Sequence, residues 1–425
     1  MRRWATLATT TVFLATLAGC GLGGAAESDA PGSAVTGDVT GKVTLQTWAL
    51  KPKFTAYVQG VIDGFEKKYP GTEVQWLDQP GDGYSDKVLS QAAGGSLPDV
   101  TNLPPDFALP LAKQGLLLDV GTADPSLRDT YVAGGLDAYT FAGQDGVYGY
   151  PWYLNTDVNY WNGEQLTKYG LDPKHPPTTL DELIAQARVM KQKSGGRAYL
   201  MSRKPAVIDL VNAGVQIMSA DRKSFVFNTP AAAAVLDKYR AAYAEGLLPK
   251  DVLSTTYAGN SKLFNAGTVA WTTGGGNFIT SLATDNPTLA PKVVPSPTIG
   301  TPPLYVQGLS VSKKSQNLPT AIALARWVTS AENQAAFAHL TNIFPSTKAS
   351  GGDPFFSKSD GTNSGDAKVI AFTSLAQARM LAPVEMTTAM SDAVDQQFAL
   401  AISGGTTSAK ALDAAVAKDN QLLKG

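Results

Sequence analysis

The sequence predicts an α/β protein with a mostly parallel sheet covered by helices, arranged as two domains. Two observations carry this expectation. Early in the body, short alternating runs that read as strands take turns with stretches of helical periodicity, and Gly or Pro breaks separate them. The chain has 425 residues, 44 % hydrophobic and 17 % charged, which is enough for two domains of ordinary size, each with its own core.

Lys42 to Trp48 alternates and reads as the first strand. Phe54, Val58, Val61, Phe65 and Tyr69 recur at helical spacing before Pro70-Gly71. Glu73 to Leu77 is a second strand, Tyr84 to Ala93 a helix stopped by Gly94-Gly95, and Pro98 to Asn102 a third strand. Asp106 to Gln114 is helical and ends at Gly115. The segment 145–156 (Asp-Gly-Val-Tyr-Gly-Tyr-Pro-Trp-Tyr-Leu-Asn-Thr) combines a turn, a short aromatic strand and a proline that suits a strand edge or a crossover. Leu180 to Lys193 is a helix with Thr179 placed to cap it, and Ala231 to Ala244 is another, ended by Gly246. Lys262 to Gly267 is a short helix, Val269 to Thr273 a strand, and Gly274-Gly275-Gly276-Asn277 leads into the next helix. Leu304 to Ser312 is a strand. Thr320–Ser330 and Glu332–Leu340 are helices, 350–366 is a surface loop, and helices over 367–381, 387–402 and 408–423 close the chain.

The N-terminus reads as an export signal. Arg2 and Arg3 precede an apolar stretch from Leu7 to Leu17, too short to span a bilayer. It runs into Leu17-Ala18-Gly19-Cys20, which resembles a bacterial lipobox and places the only cysteine of the chain where a lipid would be attached. Residues 1–19 are therefore expected to be a signal peptide and Cys20 the lipidation site that anchors the protein to the membrane. Residues 20–40, rich in Gly, Ala and Ser, are expected to be a flexible tether.

Composition excludes several function classes. Formal net charge is −1, with no basic stripe, so no nucleic-acid partner is expected. Two histidines and one cysteine exclude most His/Cys metal sites, and Gly274–Gly276 lacks the Gly-Lys-Ser/Thr of a phosphate loop, so neither metal nor cofactor is expected. In an open α/β sheet, ligands sit beyond the carboxyl ends of the strands, where Trp48, Asn102 and Asp106 fall. Tyr150, Trp152 and Tyr153 gather flat rings with polar tips, which suits a polyhydroxylated ligand with C–H faces and hydroxyls. Adjacent residues on a strand point to opposite faces, so one of Trp152 and Tyr153 faces the cleft, and Trp152 is favoured. Gln307 and Gly308 are further candidates. Arg203 and Arg379 are read as solvated surface residues.

The landmarks Tyr84-Ser-Asp-Lys-Val-Leu, Ala93-Gly-Gly-Ser-Leu-Pro-Asp-Val100, Asp145-Gly-Val-Tyr-Gly-Tyr-Pro-Trp152, Pro177-Thr-Thr-Leu-Asp-Glu-Leu183, Phe264-Asn-Ala-Gly-Thr-Val-Ala270 and Phe344-Pro345-Ser346 occur in an order that resembles the solute-binding proteins of bacterial ABC importers. The resemblance is to the carbohydrate-binding group that includes maltose-binding protein. It implies a periplasmic-binding-protein-like fold of two α/β lobes joined by three interlobe crossovers near 150, 297 and 345. Lobe one would be 41–149 plus 298–344, and lobe two 151–296 plus 346–425. It also implies a non-catalytic, extracytoplasmic receptor that traps a mono- or oligosaccharide and docks on the transmembrane subunits of an ABC permease. A binding protein for a peptide, polyamine or phosphodiester, or a secreted glycoside hydrolase, is the alternative. By the same resemblance Asp106 is the carboxylate that binds sugar hydroxyls, and Asn155 is a polar contact. Asn277 stands where other members carry a tryptophan, with Trp271, Tyr257 or Phe278 as substitutes. Gly274 to Gly276, Gly275 among them, read as letting the backbone approach a ligand or a neighbouring strand.

Overall fold

The computed structural model describes residues 34–201, 203–254 and 257–424, and only the backbone of 257–259. Cys20, the signal segment and the first part of the expected tether lie outside the described residues. Residues 34–40 do not behave as a free tether. Val35 donates its N–H to the Ala123 carbonyl at 3.2 Å, and the Thr320 hydroxyl donates to the Thr40 carbonyl at 2.7 Å.

The strands are β1 (Gly41–Trp48), β2 (Thr72–Gln79), β3 (Val100–Leu103), β4 (Tyr150–Asn155), β5 (Val158–Asn162), β6 (Trp271–Gly274), β7 (Val293–Ser296), β8 (Tyr305–Val311) and β9 (Phe344–Pro345). The helices of eight residues or more are α1 (Thr55–Lys68), α2 (Tyr84–Ala93), α3 (Pro105–Lys113), α4 (Leu180–Ser194), α5 (Pro230–Ala244), α6 (Tyr257–Asn265), α7 (Phe278–Asp285), α8 (Leu318–Val328), α9 (Ala331–Thr341), α10 (Asn363–Ser374), α11 (Thr388–Ser403) and α12 (Ser408–Lys424). The fold is α/β in two lobes, each built on its own sheet.

The first sheet has the order β2-β1-β3-β8-β4-β9, and the second has the order β6-β5-β7. Only the neighbouring pairs β2–β1 and β1–β3 are parallel. β8 is antiparallel to both β3 and β4, and every pair in the second sheet is antiparallel. The expectation of a mostly parallel sheet thus holds for the N-terminal βαβ units alone. Crossover helices enforce parallel pairing there, whereas β8 is a strand returning from the other lobe and enters in the opposite sense. β4 stays in the first sheet through Asn155, and the chain first meets the second sheet at Val158. The change of sheet therefore follows Asn155 rather than falling at 150.

β5 was not foreseen, because Val158-Asn-Tyr-Trp-Asn162 carries no clean alternation. The strand is buried along its whole length, and such strands lack the polar-out signature. Its side chains still alternate. Val158 and Tyr160 join the core that holds Leu45, Phe65 and Leu309, whereas Trp161 joins the core of Leu183, Leu236 and Phe398.

Helix limits follow their caps. Thr179 accepts the Glu182 N–H at 3.2 Å and opens α4, as its position predicts. α10 starts four residues before the expected 367, inside the segment read as loop, because Thr362 accepts the Gly365 N–H at 3.0 Å. It also ends at Ser374 rather than 381.

Candidate functional site

β4 runs parallel to β3, since both are antiparallel to β8, so the carboxyl ends of β1, β3 and β4 share one edge of the first sheet. At that edge Trp48 is half-buried and stacks on Tyr84 with centroids 5.5 Å apart, and Tyr84 continues to Phe107 at 6.4 Å. These rings form one aromatic wall.

Beside that wall, Asp106 lies in the first turn of α3, where Pro104 rather than Asp106 occupies the N-cap. Its side chain is open to solvent, yet burial raises the carboxyl above its usual range, and the backbone N–H groups of Asp106 and Phe107 only partly oppose this. The two facts agree if the carboxyl stands in a recess, reachable by water but walled by protein. Its charge is felt by the buried Tyr139 phenol, which donates to the Leu103 carbonyl at 2.6 Å and also senses Tyr153.

The register of β4 against β8 shifts between Pro151 and Tyr153. Past the shift, Trp152 and Leu154 are buried and Tyr153 and Asn155 are partly exposed, although Tyr153 still meets the edge of Phe337 at 5.7 Å. Trp152 is 1 % exposed and stacks on Phe337 at 5.4 Å. The preference for Trp152 as the exposed ring is therefore corrected: Trp152 is buried, and of the two rings Tyr153 is the partly exposed one. Tyr153 pairs with Gln307 and Asn155 with Tyr305, so these four side chains share a face.

Two sequence candidates serve the sheet itself. Asn102 is 2 % exposed, and its amide donates to the Gly308 carbonyl at 2.9 Å and to Gln307 Oε1 at 3.1 Å. Gly308 is pressed against Tyr139, and a Cβ there would lie 2.5 Å from the phenol oxygen and 2.7 Å from the Tyr150 carbonyl. Gly308→Ala is expected to cost about 1–3 kcal/mol, because the backbone oxygen cannot yield. A melting curve superimposable on that of the native protein would refute this close approach.

From the second sheet, a Cβ at Gly275 would stand 2.7 Å from Asn155 Nδ2 and 3.1 Å from Asn277 Oδ1, which brings Asn155, Gly275 and Asn277 together where the lobes meet. Trp271 is 2 % exposed, stacks on Trp161 at 5.8 Å and donates its indole N–H to Asn159 at 3.0 Å. It is almost wholly buried, with Trp161 stacked on it and the Arg203 guanidinium over its ring. The side chain of Tyr257 lies outside the described residues.

Sequence reasoning missed a cavity of about 130 Å³ lined by Asp157, Lys204, Trp271, Tyr305 and Asp395, among others. Tyr305 is 48 % exposed and donates to Asp157 Oδ2 at 3.2 Å. It links the wall bearing Tyr153 and Gln307 to this cavity. Strand alternation could have found it, since it stands two residues before Gln307. Lys204 and Asp395 are 3.0 Å apart and come from distant segments that carry no local signal. Arg203 is no solvated surface residue. Its guanidinium grips Asp209 through two hydrogen bonds of 2.6 and 2.9 Å and lies over Trp271. Arg379 is exposed, as expected.

A profile of the family described as bacterial extracellular solute-binding protein matches residues 49–335. A "putative binding protein" of Brucella abortus (strain 2308) is 24 % identical over 239 residues, 54 % of this chain and 56 % of that protein, so the match spans little more than half of either. Among solved structures, a "putative oligosaccharide periplasmic-binding protein" from Synechococcus sp. MITs9220 superposes with a TM-score of 0.80 at 27 % identity, over 90 % of this chain and 99 % of that one. The cyclic alpha-maltosyl-1,6-maltose binding protein of Arthrobacter globiformis has the same fold, with a TM-score of 0.74 at 21 % identity over 91 % of this chain and 100 % of that one. The chain belongs to the family of bacterial extracellular solute-binding proteins.

Proposed function

We propose that this protein is the sugar-capturing component of an ABC importer. It takes a mono- or oligosaccharide between its lobes, closes on it and hands it unchanged to the transmembrane subunits of a permease. In this reading Cys20 carries the lipid that holds the protein at the outer face of the cell membrane. The observation that carries the reading is the convergence at one sheet edge of Trp48, Asp106, Tyr153, Asn155, Gln307 and Tyr305, opposite Gly275 and Asn277 of the other lobe. Rings offer their faces to sugar C–H groups, while carboxylate, amides and phenols match hydroxyls. The names of the Synechococcus and Arthrobacter proteins, which speak of oligosaccharides, agree with it. Contacts from both lobes favour the closed state, so ligand binding shifts the open–closed population.

The test is thermal unfolding with a panel of mono- and oligosaccharides. A bound sugar at a hundred times its Kd stabilises the folded state by about 2.7 kcal/mol, which raises Tm by several degrees. Asp106→Ala is expected to weaken that sugar's binding at least tenfold. If no sugar in the panel moves Tm, the reading fails.

A further inference from the structure

We propose that Gly275 is a positioning residue for capture: it touches no sugar, and by lacking a side chain it leaves the room in which the Asn155 amide is aimed at the ligand. This rests on the sugar-capturing reading and gives one residue of that site a role of its own.

Backbone conformation does not call for glycine here. None of Gly274, Gly275 and Gly276 takes the left-handed backbone that favours it, unlike Gly267 at φ 70° shortly before them. Space calls for it instead. A Cβ at Gly275 would stand 2.7 Å from Nδ2 and 3.1 Å from Oδ1 of Asn155, too close for a carbon atom. Gly276 is constrained differently, since its Cβ would meet that of Ala371 on α10 at 3.0 Å.

The turn itself is pinned. The Tyr160 phenol of β5 donates to the Gly275 carbonyl at 2.6 Å, and the Phe278 N–H that opens α7 donates to the same oxygen at 3.0 Å. Tyr160 is fully buried and lies against the Phe278 ring with centroids 4.7 Å apart. Asn277 would stand 3.1 Å from the new methyl, but it makes no capping bond and can turn away. On the other side, Asn155 ends β4, and its backbone is held by pairing with Tyr305 of β8. That leaves the Asn155 side chain to move. Its Oδ1 accepts the N–H of the fully buried Thr156 at 2.9 Å, which makes Nδ2 the donor end. Rotating the amide to clear a methyl breaks this bond, strands a buried N–H and swings the donor off the face shared with Tyr153, Gln307 and Tyr305. Gly275→Ala therefore acts on the ligand through Asn155.

The experiment is a double-mutant cycle on the mature protein, with Gly275→Ala, Asn155→Ala and the two combined. Each variant is titrated calorimetrically with glucose, maltose, maltotriose, cellobiose and mannobiose, and melted without sugar. For the sugar that binds the native protein most tightly, each single substitution is expected to raise Kd at least tenfold. The double variant is expected to stay within about threefold of Asn155→Ala, because the amide that Gly275 serves is already gone. Without sugar, Gly275→Ala is expected to lower Tm by about 2–4 °C, and the double variant to melt with Asn155→Ala. Gly276→Ala, whose methyl meets α10, is expected to lower Tm equally with and without the Asn155 amide. Losses of affinity that multiply in the double variant overturn the inference and leave the sugar reading standing, as does native affinity in Gly275→Ala. If Gly275→Ala fails to fold, a folded double variant supports the inference and an unfolded one overturns it. If none of these sugars binds the native protein, the sugar reading and this inference fall together.

Discussion

Trp152→Ala is expected to destabilise the protein by about 3–5 kcal/mol, the range for deleting a fully buried large ring. Its neighbour is expected to differ: Tyr153→Ala costs less stability, roughly 1–3 kcal/mol, because the ring is partly exposed yet still packs edge-on to Phe337, and it weakens sugar binding at least tenfold. The contrast follows from the register shift in β4. Trp152 is 1 % exposed and stacks on Phe337, which also stacks on Tyr57 at 4.8 Å, so its loss opens a cavity inside a packed aromatic cluster. Tyr153 is partly exposed on the face it shares with Asn155, Gln307 and Tyr305. Urea denaturation of both variants, followed by calorimetry on those that fold, separates the two roles. A stable Trp152→Ala protein that has lost its sugar would reverse the assignment of the two rings.

The same pair shows how far the sequence could be read. That one ring faces the core and the other the cleft follows from strand alternation. Which ring does so depends on an irregularity in pairing with β8, a strand more than a hundred residues away, and no local pattern encodes it. The fold was legible because its signals are local: Thr179 capping α4, Gly and Pro breaks between β1, α1 and β2, and ordered landmarks along the body. The position of Asp106 just beyond the end of β3 was legible for the same reason, as it follows a predicted strand. Lys204 and Asp395 were not, because each is an ordinary charged residue until folding sets them 3.0 Å apart. Asn102 and Gly308 were drawn into the site by position, but their hydrogen bond and the contact with Tyr139 commit them to joining β3 to β8.

The second large effect lies far from the cleft, on the last helix. The buried face of α12 consists of Ser408, Ala411, Leu412, Ala415, Val416 and Asp419. Asp419 is fully buried, and neither carboxylate oxygen finds a partner among the described residues. Burial pushes its pKa up to about 7. In the unfolded chain an aspartate titrates near ~3.9. Between those values the folded state holds a proton that the unfolded state has released, so stability falls as pH rises from about 4 to about 7 and stays low above it. A shift of this size corresponds to at most about 4 kcal/mol. Asp419 stands within two turns of the helix end, where fraying admits water, so roughly 2 kcal/mol is the expected loss at pH 8. Asp419→Asn has no charge to bury. It is expected nearly to match the native protein at pH 4, where Asp419 is protonated in the folded state and the loss has barely begun, and to exceed it by roughly 2 kcal/mol at pH 8. Urea midpoints at the two pH values decide the matter. An equal gap between native and variant at both would mean that Asp419 carries no proton in the folded state, and that the last helix finds it a partner by moving.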